Sequence, residues 1–309
     1  MDPIPPPRIN TSLLAYPKSD YPASFIKNHL ADILSQFSES KLCFTDGSKT
    51  QSSYVGYAFS IDNITFSFQL PSFSSIFTAE LSAIFHCLHH ISLSTEHSHY
   101  TILTDSISSL LSIQNIFSEH PIVQKIQSIV HSLTLINIEI QFLFIPSHIG
   151  IPGNERVDQS AKTATTSSPI TTQVIQDVKN FLRQKTRLAW QTDWSSQLNN
   201  KLLSYKKSVT PWKILALMNR REAVAITRLR IGHTRITHEH LYHGHRETPL
   251  CEFCNSFPIS VSHLLFFCPT LHNNRLLSGI SPNDLATDDA SCYGRIVSFL
   301  RRSGLVNRI

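Results

Sequence analysis

The sequence predicts an α/β fold, a mixed sheet flanked by helices, followed by a helical, basic region that carries a cysteine cluster. Three observations carry this. Runs 41–46, 54–61 and 64–70 are strand-like, with a turn at Asp62-Asn63 between the last two, which together read as a three-stranded meander. From residue 76 onward helical and strand-like patterns alternate, which adds a parallel portion to the same sheet. Finally, residues 1–165 hold 8 Lys and Arg against 13 Asp and Glu and the remainder 19 against 9, so a net charge of +5 divides into −5 and +10. The acidic stretch suits a metal-dependent reaction centre and the basic one a polyanion binder.

A chain of 309 residues, 41% hydrophobic, can hold one good-sized domain plus a smaller module. No apolar run reaches the 18 or so residues of a membrane span, and the start, Met1-Asp2-Pro3-Ile4-Pro5-Pro6-Pro7, lacks the pattern of a signal peptide. The expectation is an intracellular protein with no membrane partner. Of six cysteines, Cys43 and Cys87 stand alone in apolar runs and read as small core residues, Cys292 lies near the end, and Cys251, Cys254 and Cys268 cluster. That distribution is no disulfide framework.

Taken in order, residues 1–36 are Pro-rich and then weakly helical, and read as an N-terminal tether with no core of its own. The main domain is expected over 37–167. After the meander, 76–93 is a helix with Glu80, Ile84, Cys87, Leu88 and Ile91 on one stripe, which turns Glu80 toward the core. A short strand at 100–104 ends at Asp105-Ser106, a good N-cap pair for a helix over 107–117. A helix at 121–133 and a strand at 138–145 follow. Pro146 stops that strand, a loop covers 147–153, and Asn154 is expected to cap a helix from 155 to about 165. A Ser/Thr-rich break over 163–172 leads into helices at 174–203 and 211–229.

Chemistry enters with Phe44-Thr45-Asp46-Gly47-Ser48-Lys49. Asp46 ends a strand and shares the face of Leu42 and Phe44, and a lone buried carboxylate is costly unless paired or bound to metal. Glu80, Asp105 and Asp158 are three more acids in apolar settings. If the four converge, their repulsion calls for divalent cations, and hard oxygen ligands select Mg²⁺ or Mn²⁺. Two such ions suit phosphodiester hydrolysis.

The motifs Thr45-Asp46-Gly47-Ser48-Lys49, Thr78-Ala79-Glu80-Leu81, Leu103-Thr104-Asp105-Ser106 and Pro146-Ser147-His148-x-Gly150-x-x-Gly153-Asn154-Glu155-x-x-Asp158 are found in that order. Across about residues 40–166 the chain resembles the type 1 ribonuclease H domain, especially that of non-LTR retrotransposon polyproteins. The resemblance implies a five-stranded mixed sheet flanked by helices, and endonucleolytic cleavage of the RNA strand of RNA/DNA hybrids. It makes Asp46, Glu80, Asp105 and Asp158 the metal-binding acids for two Mg²⁺ or Mn²⁺ ions. His148 becomes a mobile-loop histidine assisting proton transfer or product release. A reverse transcriptase domain is expected upstream in the parent polyprotein. Ser48 and Asn154 are candidate contacts to substrate phosphate or 2′-hydroxyl, whereas Glu155 is explained by the helix dipole alone. Two rivals are a catalytically inactive nucleic-acid-binding remnant, against which the four intact acids argue, and a transposase or integrase of the same fold, which the closing histidine and aspartate motif suits less well.

In the second half, Cys251-x2-Cys254-x8-His263-x4-Cys268 offers three thiolates and an imidazole, enough for a closed structural zinc site, with His272 as a rival fourth ligand. The expected division is a helical basic region over 168–245, a zinc-knuckle-like module over 246–275 and a tail over 276–309. The run Arg228-Leu229-Arg230-Ile231-Gly232-His233-Thr234 and the segment 265–269 also resemble the C-terminal part of those polyproteins. Arg228 and Arg230 are the candidate phosphate contacts there.

Overall fold

The computed structural model describes residues 6–37, 39–51, 54–94, 97–164, 166–167 and 174–309. The first five residues of the expected tether and most of the 163–172 break lie outside the described residues. The chain divides into two compact units, Met1–Arg183 and Gln184–Ile309.

In the first unit the elements in order are β1 (Arg8–Asn10), α1 (Ala23–Ser35), β2 (Lys41–Lys49), β3 (Val55–Ile61), β4 (Ile64–Leu70), α2 (Ile76–Leu93), β5 (His99–Thr104), α3 (Ile107–Gln114), α4 (Pro121–Leu135), β6 (Glu139–Phe144) and α5 (Pro152–Thr163). One six-stranded sheet has the order β1-β6-β5-β2-β3-β4. β2, β5, β6 and β1 are parallel, and β3 and β4 add the antiparallel meander. The expected mixed sheet is therefore present, with six strands rather than five.

The sixth strand is β1, and it corrects the reading of residues 1–36 as a tether. Arg8 pairs with Gln141 and Asn10 with Leu143. Behind this strand Leu13, Ile26, Leu30 and Ile33 are buried in the main core. Ile26, Leu30 and Ile33 recur at helical spacing, so α1 closes one flank of the domain with a narrow apolar stripe. A three-residue strand after a Pro-rich start leaves almost no periodicity to read.

β2 is also longer than expected. Asp46 is where its pairing with β5 stops, since Thr45 faces Thr104. Its pairing with β3 continues through Gly47 with Tyr57, Ser48 with Gly56 and Lys49 with Val55. Two other departures are local. Ile151, not Asn154, occupies the N-cap of α5, whose first turn opens on Pro152. Ser106 caps α3 by position only, with no side-chain hydrogen bond.

α6 (Ile175–Ser196) begins in the first unit and ends in the second. The second unit then holds α7 (Lys213–Leu217), α8 (Arg220–Ile231), α9 (Arg235–Tyr242), α10 (His272–Ser278) and α11 (Ala290–Arg302). A single core joins Ala225, Ile226 and Leu229 of α8 to Cys251, Leu264, Leu265 and Cys268, and to Tyr293, Ile296 and Leu300 of α11. The expected separate module at 246–275 and tail at 276–309 are thus parts of one packed body, because the cysteine segment has too little apolar surface to fold by itself and shares that of α8 and α11. No helix among the described residues is long and apolar enough to cross a membrane.

Candidate active site

The sheet register brings two of the acids together. Thr45 of β2 lies beside Thr104 of the parallel β5, so Asp46 and Asp105 leave neighbouring strands at the same end. A glycine brings the third. A Cβ on Gly47 would lie 2.6 Å from the Glu80 backbone nitrogen, so only glycine lets α2 pack this closely on β2. The same device seats α5, because a Cβ on Gly153 would collide with the Phe44 ring, 2.3 Å from its nearest atom. Asn154 and Asp158 lie one and five residues further along that helix.

Oxygens of Asp46, Glu80 and Asp105 lie within 4.8 Å of one another. Asp158 is not in that group. One of its oxygens gathers instead with His148 and Glu155, again within 4.8 Å, while its Oδ2 accepts an ion pair from Lys162 Nζ at 2.7 Å. Asp158 still acts on the others electrostatically. Burial, then Asp105 and Asp158, pushes the Asp46 carboxyl up to about 8. Glu80 is held well above its ordinary range by burial and then by Asp46 and Asp105. Asp105 is raised mainly by burial, against the opposing hydrogen bond from Asn154 and the nearby His148.

Asp46 is 4% exposed and Glu80 8% exposed. Asp46 Oδ2 and Glu80 Oε2 have no hydrogen-bond partner among the described residues, although buried polar oxygens are nearly always paired. Three crowded carboxylates of raised proton affinity, two of them with an orphaned oxygen, form a hard, all-oxygen donor set that fits a divalent cation. A family model for RNase H matches residues 38–166. Residues 38–166 form a ribonuclease H domain. No curated protein matches the chain.

Around these acids of the ribonuclease H domain the remaining candidates fall differently. His148 is exposed on the loop after β6, with a left-handed backbone at φ 55°. Glu155 accepts the Gly150 N–H at 3.2 Å, which ties that loop to α5. Asn154, expected to touch substrate, is buried and hydrogen-bonds Asp105. Ser48 is also buried, within the paired stretch of β2 and β3.

Two residues beyond the matched segment also serve this domain, and sequence reading missed both. Asp177, 5% exposed, accepts from the Ser75 backbone N–H at 2.9 Å and the Thr78 hydroxyl at 2.6 Å, clamping the start of the helix that carries Glu80. Lys18 donates to the Ser147 carbonyl at 3.4 Å and to its hydroxyl at 3.3 Å. Neither has a sequence signal, since the first sits in an ordinary helix start and the second in a Pro- and Ser-rich stretch.

In the second unit the four predicted ligands do converge. Cys251 Sγ and Cys268 Sγ are 3.9 Å apart, Cys254 Sγ and His263 Nε2 are 3.4 Å apart, and all four ligand atoms lie within 4.8 Å. His272, the rival, is exposed on α10 and outside the group. Burial, with Arg275 nearby, lowers the His263 proton affinity, which favours the neutral imidazole that ligates a metal. Thiolates and an imidazole in a closed cluster fit a structural metal.

Arg230 does not stand where a phosphate contact must. It is 2% exposed and donates to the Leu285 and Thr287 carbonyls and to Tyr293 Oη, and its guanidinium lies 3.5 Å from the Trp212 ring centroid. An arginine whose fork is used by carbonyls and whose face is covered by an indole is a core residue. Arg228 remains on the exposed side of α8, donating to the Ile309 carbonyl at 2.7 Å.

Proposed function

We propose that this chain is a metal-dependent endoribonuclease that cleaves the RNA strand of RNA/DNA hybrids, derived from a retrotransposon polyprotein with a reverse transcriptase upstream. The observation that carries the nuclease reading is the crowding of Asp46, Glu80 and Asp105 in a ribonuclease H domain, with orphaned oxygens on the two most buried acids. The retrotransposon origin rests on the motif resemblance and on the order of a ribonuclease H domain followed by a basic unit bearing a cysteine cluster.

In this reading Asp46, Glu80, Asp105 and Asp158 hold two Mg²⁺ or Mn²⁺ ions. When bound, these would supply an activated water and offset the negative charge developing on the phosphodiester. The carboxylates fix the positions at which that charge is met, and their burial keeps competing solvent out. Glu155, by holding Gly150, orients the loop on which His148 sits. His148 offers a ring nitrogen to carry a proton to the leaving oxygen or to help the product depart. Cys251, Cys254, His263 and Cys268 hold a zinc ion with no catalytic part, since the cluster leaves no open position.

Incubating the chain with matched RNA/DNA hybrid, duplex DNA and duplex RNA in Mg²⁺ tests the first reading. Cleavage of the hybrid's RNA strand alone is expected, and activity that persists in excess EDTA would exclude it. Zinc analysis of purified protein tests the second. About one zinc per chain is expected, and an unchanged content in Cys251→Ser would place the metal elsewhere.

A further inference from the structure

The N-terminal segment lies outside the matched family segment, yet it reaches the loop of His148. Its apolar stripe Ile26, Leu30 and Ile33 is buried, which fixes the orientation of α1 and leaves Lys27 exposed on the adjoining side. Lys27 Nζ lies 2.9 Å from where a Cβ on Gly150 would stand. The strand to helix connection is pinned by rings: Tyr16 meets Tyr21 at 5.3 Å and Phe25 at 5.4 Å, and Tyr21 stacks on Phe25 at 5.1 Å. Lys18 sits inside this pinned stretch and reaches Ser147. Two ammonium groups therefore flank His148, one beside the residue before it and one beside Gly150.

Neither lysine has a carboxylate partner among the described residues. Asp20, the nearest acid in that stretch, takes the Ser19 hydroxyl at 2.7 Å. The other lysines of the neighbourhood are engaged, Lys162 with Asp158 and Lys49 with the Ser74 carbonyl at 2.6 Å. An ammonium has three donors and Lys18 spends two on Ser147, so one remains free. A polyanion approaching a crowded acidic centre meets repulsion, and unpaired cations at its rim are what offset it.

We propose that Lys18 and Lys27 form a phosphate-binding rim beside the His148 loop, gripping the sugar-phosphate backbone of a nucleic acid that lies across the acidic centre. This rests on the nuclease reading only in taking nucleic acid as the partner. Binding of the full chain to a short RNA/DNA hybrid, measured against salt with Ca²⁺ in place of Mg²⁺, is the test. Each neutralised phosphate contributes roughly 0.7–0.9 to the log-log salt slope. The double variant Lys18→Gln with Lys27→Gln should therefore lose about 1.4–1.8 of slope and bind more weakly, whereas Lys18→Arg with Lys27→Arg should keep the slope. An unchanged slope in the glutamine variant overturns the rim. Equal losses in both variants overturn it too, because they would report displacement of the segment rather than removal of charge, as would a parent chain that binds no hybrid. Cleavage in Mg²⁺ by the same preparations separates the two readings. Retained cleavage with an unchanged slope defeats only the rim, and a lysine-dependent slope without cleavage by the parent defeats only the nuclease.

Discussion

Asp46 carries a raised proton affinity because the native state crowds and buries it, so its titration has a sign that can be checked. Its folded value of about 8 lies above an unfolded value near the ordinary 3.8. Below about pH 4 both states hold the proton and the group is neutral to stability. From there to about pH 8 the unfolded chain ionises first, and the metal-free protein loses stability at a slope approaching about 1.4 kcal/mol per pH unit. Asp46→Asn removes that penalty. Metal-free Asp46→Asn should therefore melt above the parent at pH 8 by more than at pH 5, while hybrid cleavage is abolished. Parallel melting curves at the two pH values would show that Asp46 is not strained by its neighbours. His148→Ala should slow cleavage by about 10² at most, since an exposed loop histidine moves a proton without holding the acids in place. A loss as complete as that of Asp46→Asn would give it another role. Asp46, Glu80 and Asp105 were legible in the sequence because each sits in or beside an apolar run, whereas Asp158 was legible only through its place in the closing Gly-Asn-Glu-x-x-Asp motif. Arg230 was not, because a buried arginine among basic neighbours reads the same as an exposed one until its carbonyl partners are seen.

At the scale of elements, α2 is the helix on which the acidic cluster depends, and its start is tied down from outside the matched segment. The Ser75 hydroxyl caps the helix by accepting the Thr78 N–H at 3.1 Å, and Asp177 takes the Ser75 N–H and the Thr78 hydroxyl. An acid at a helix N-terminus also meets the positive end of the helix dipole. Asp177→Ala strands one buried and one half-buried donor and should destabilise the first unit by about 1–3 kcal/mol. A urea titration should show a lower midpoint, with Asp177→Asn between parent and alanine because the amide oxygen still accepts. An unaltered midpoint in the alanine variant would mean that α2 does not rely on this clamp. Elements with clear periodicity, such as β4 and α2, were readable, whereas Gly47 and Gly153 stood in the sequence only as motif positions, their close approaches appearing with the structure. What was not readable is tertiary support of this kind: β1 is too short to show a period, and Asp177 looks like any acid in a first helical turn.

At the scale of the molecule the charge asymmetry follows the two units. The first holds 10 Lys and Arg against 14 Asp and Glu, and the second 17 against 8. The composition thus points to a reacting unit and a gripping unit, but the structure reduces the number of free cations in the second. Arg230 is buried, and Arg235, Arg295, Arg301 and Arg308 pair with Glu239, Asp284, Glu222 and Glu252. Removing the second unit should therefore weaken hybrid binding and flatten its salt dependence by less than its 17 basic residues would suggest. The cut matters. A fragment ending near Ser168 loses Asp177 and with it the clamp on α2, so its failure would say nothing about grip. A fragment ending at Arg183 keeps that clamp, the sheet and all four acids. It should fold cooperatively and still respond to Mg²⁺ by a rise in melting temperature. Its log-log salt slope should be smaller than that of the full chain by roughly 0.7–0.9 for each phosphate that the second unit neutralises. If the folded fragment instead binds hybrid with the slope of the full chain, the basic unit does not hold nucleic acid and its charge serves another purpose.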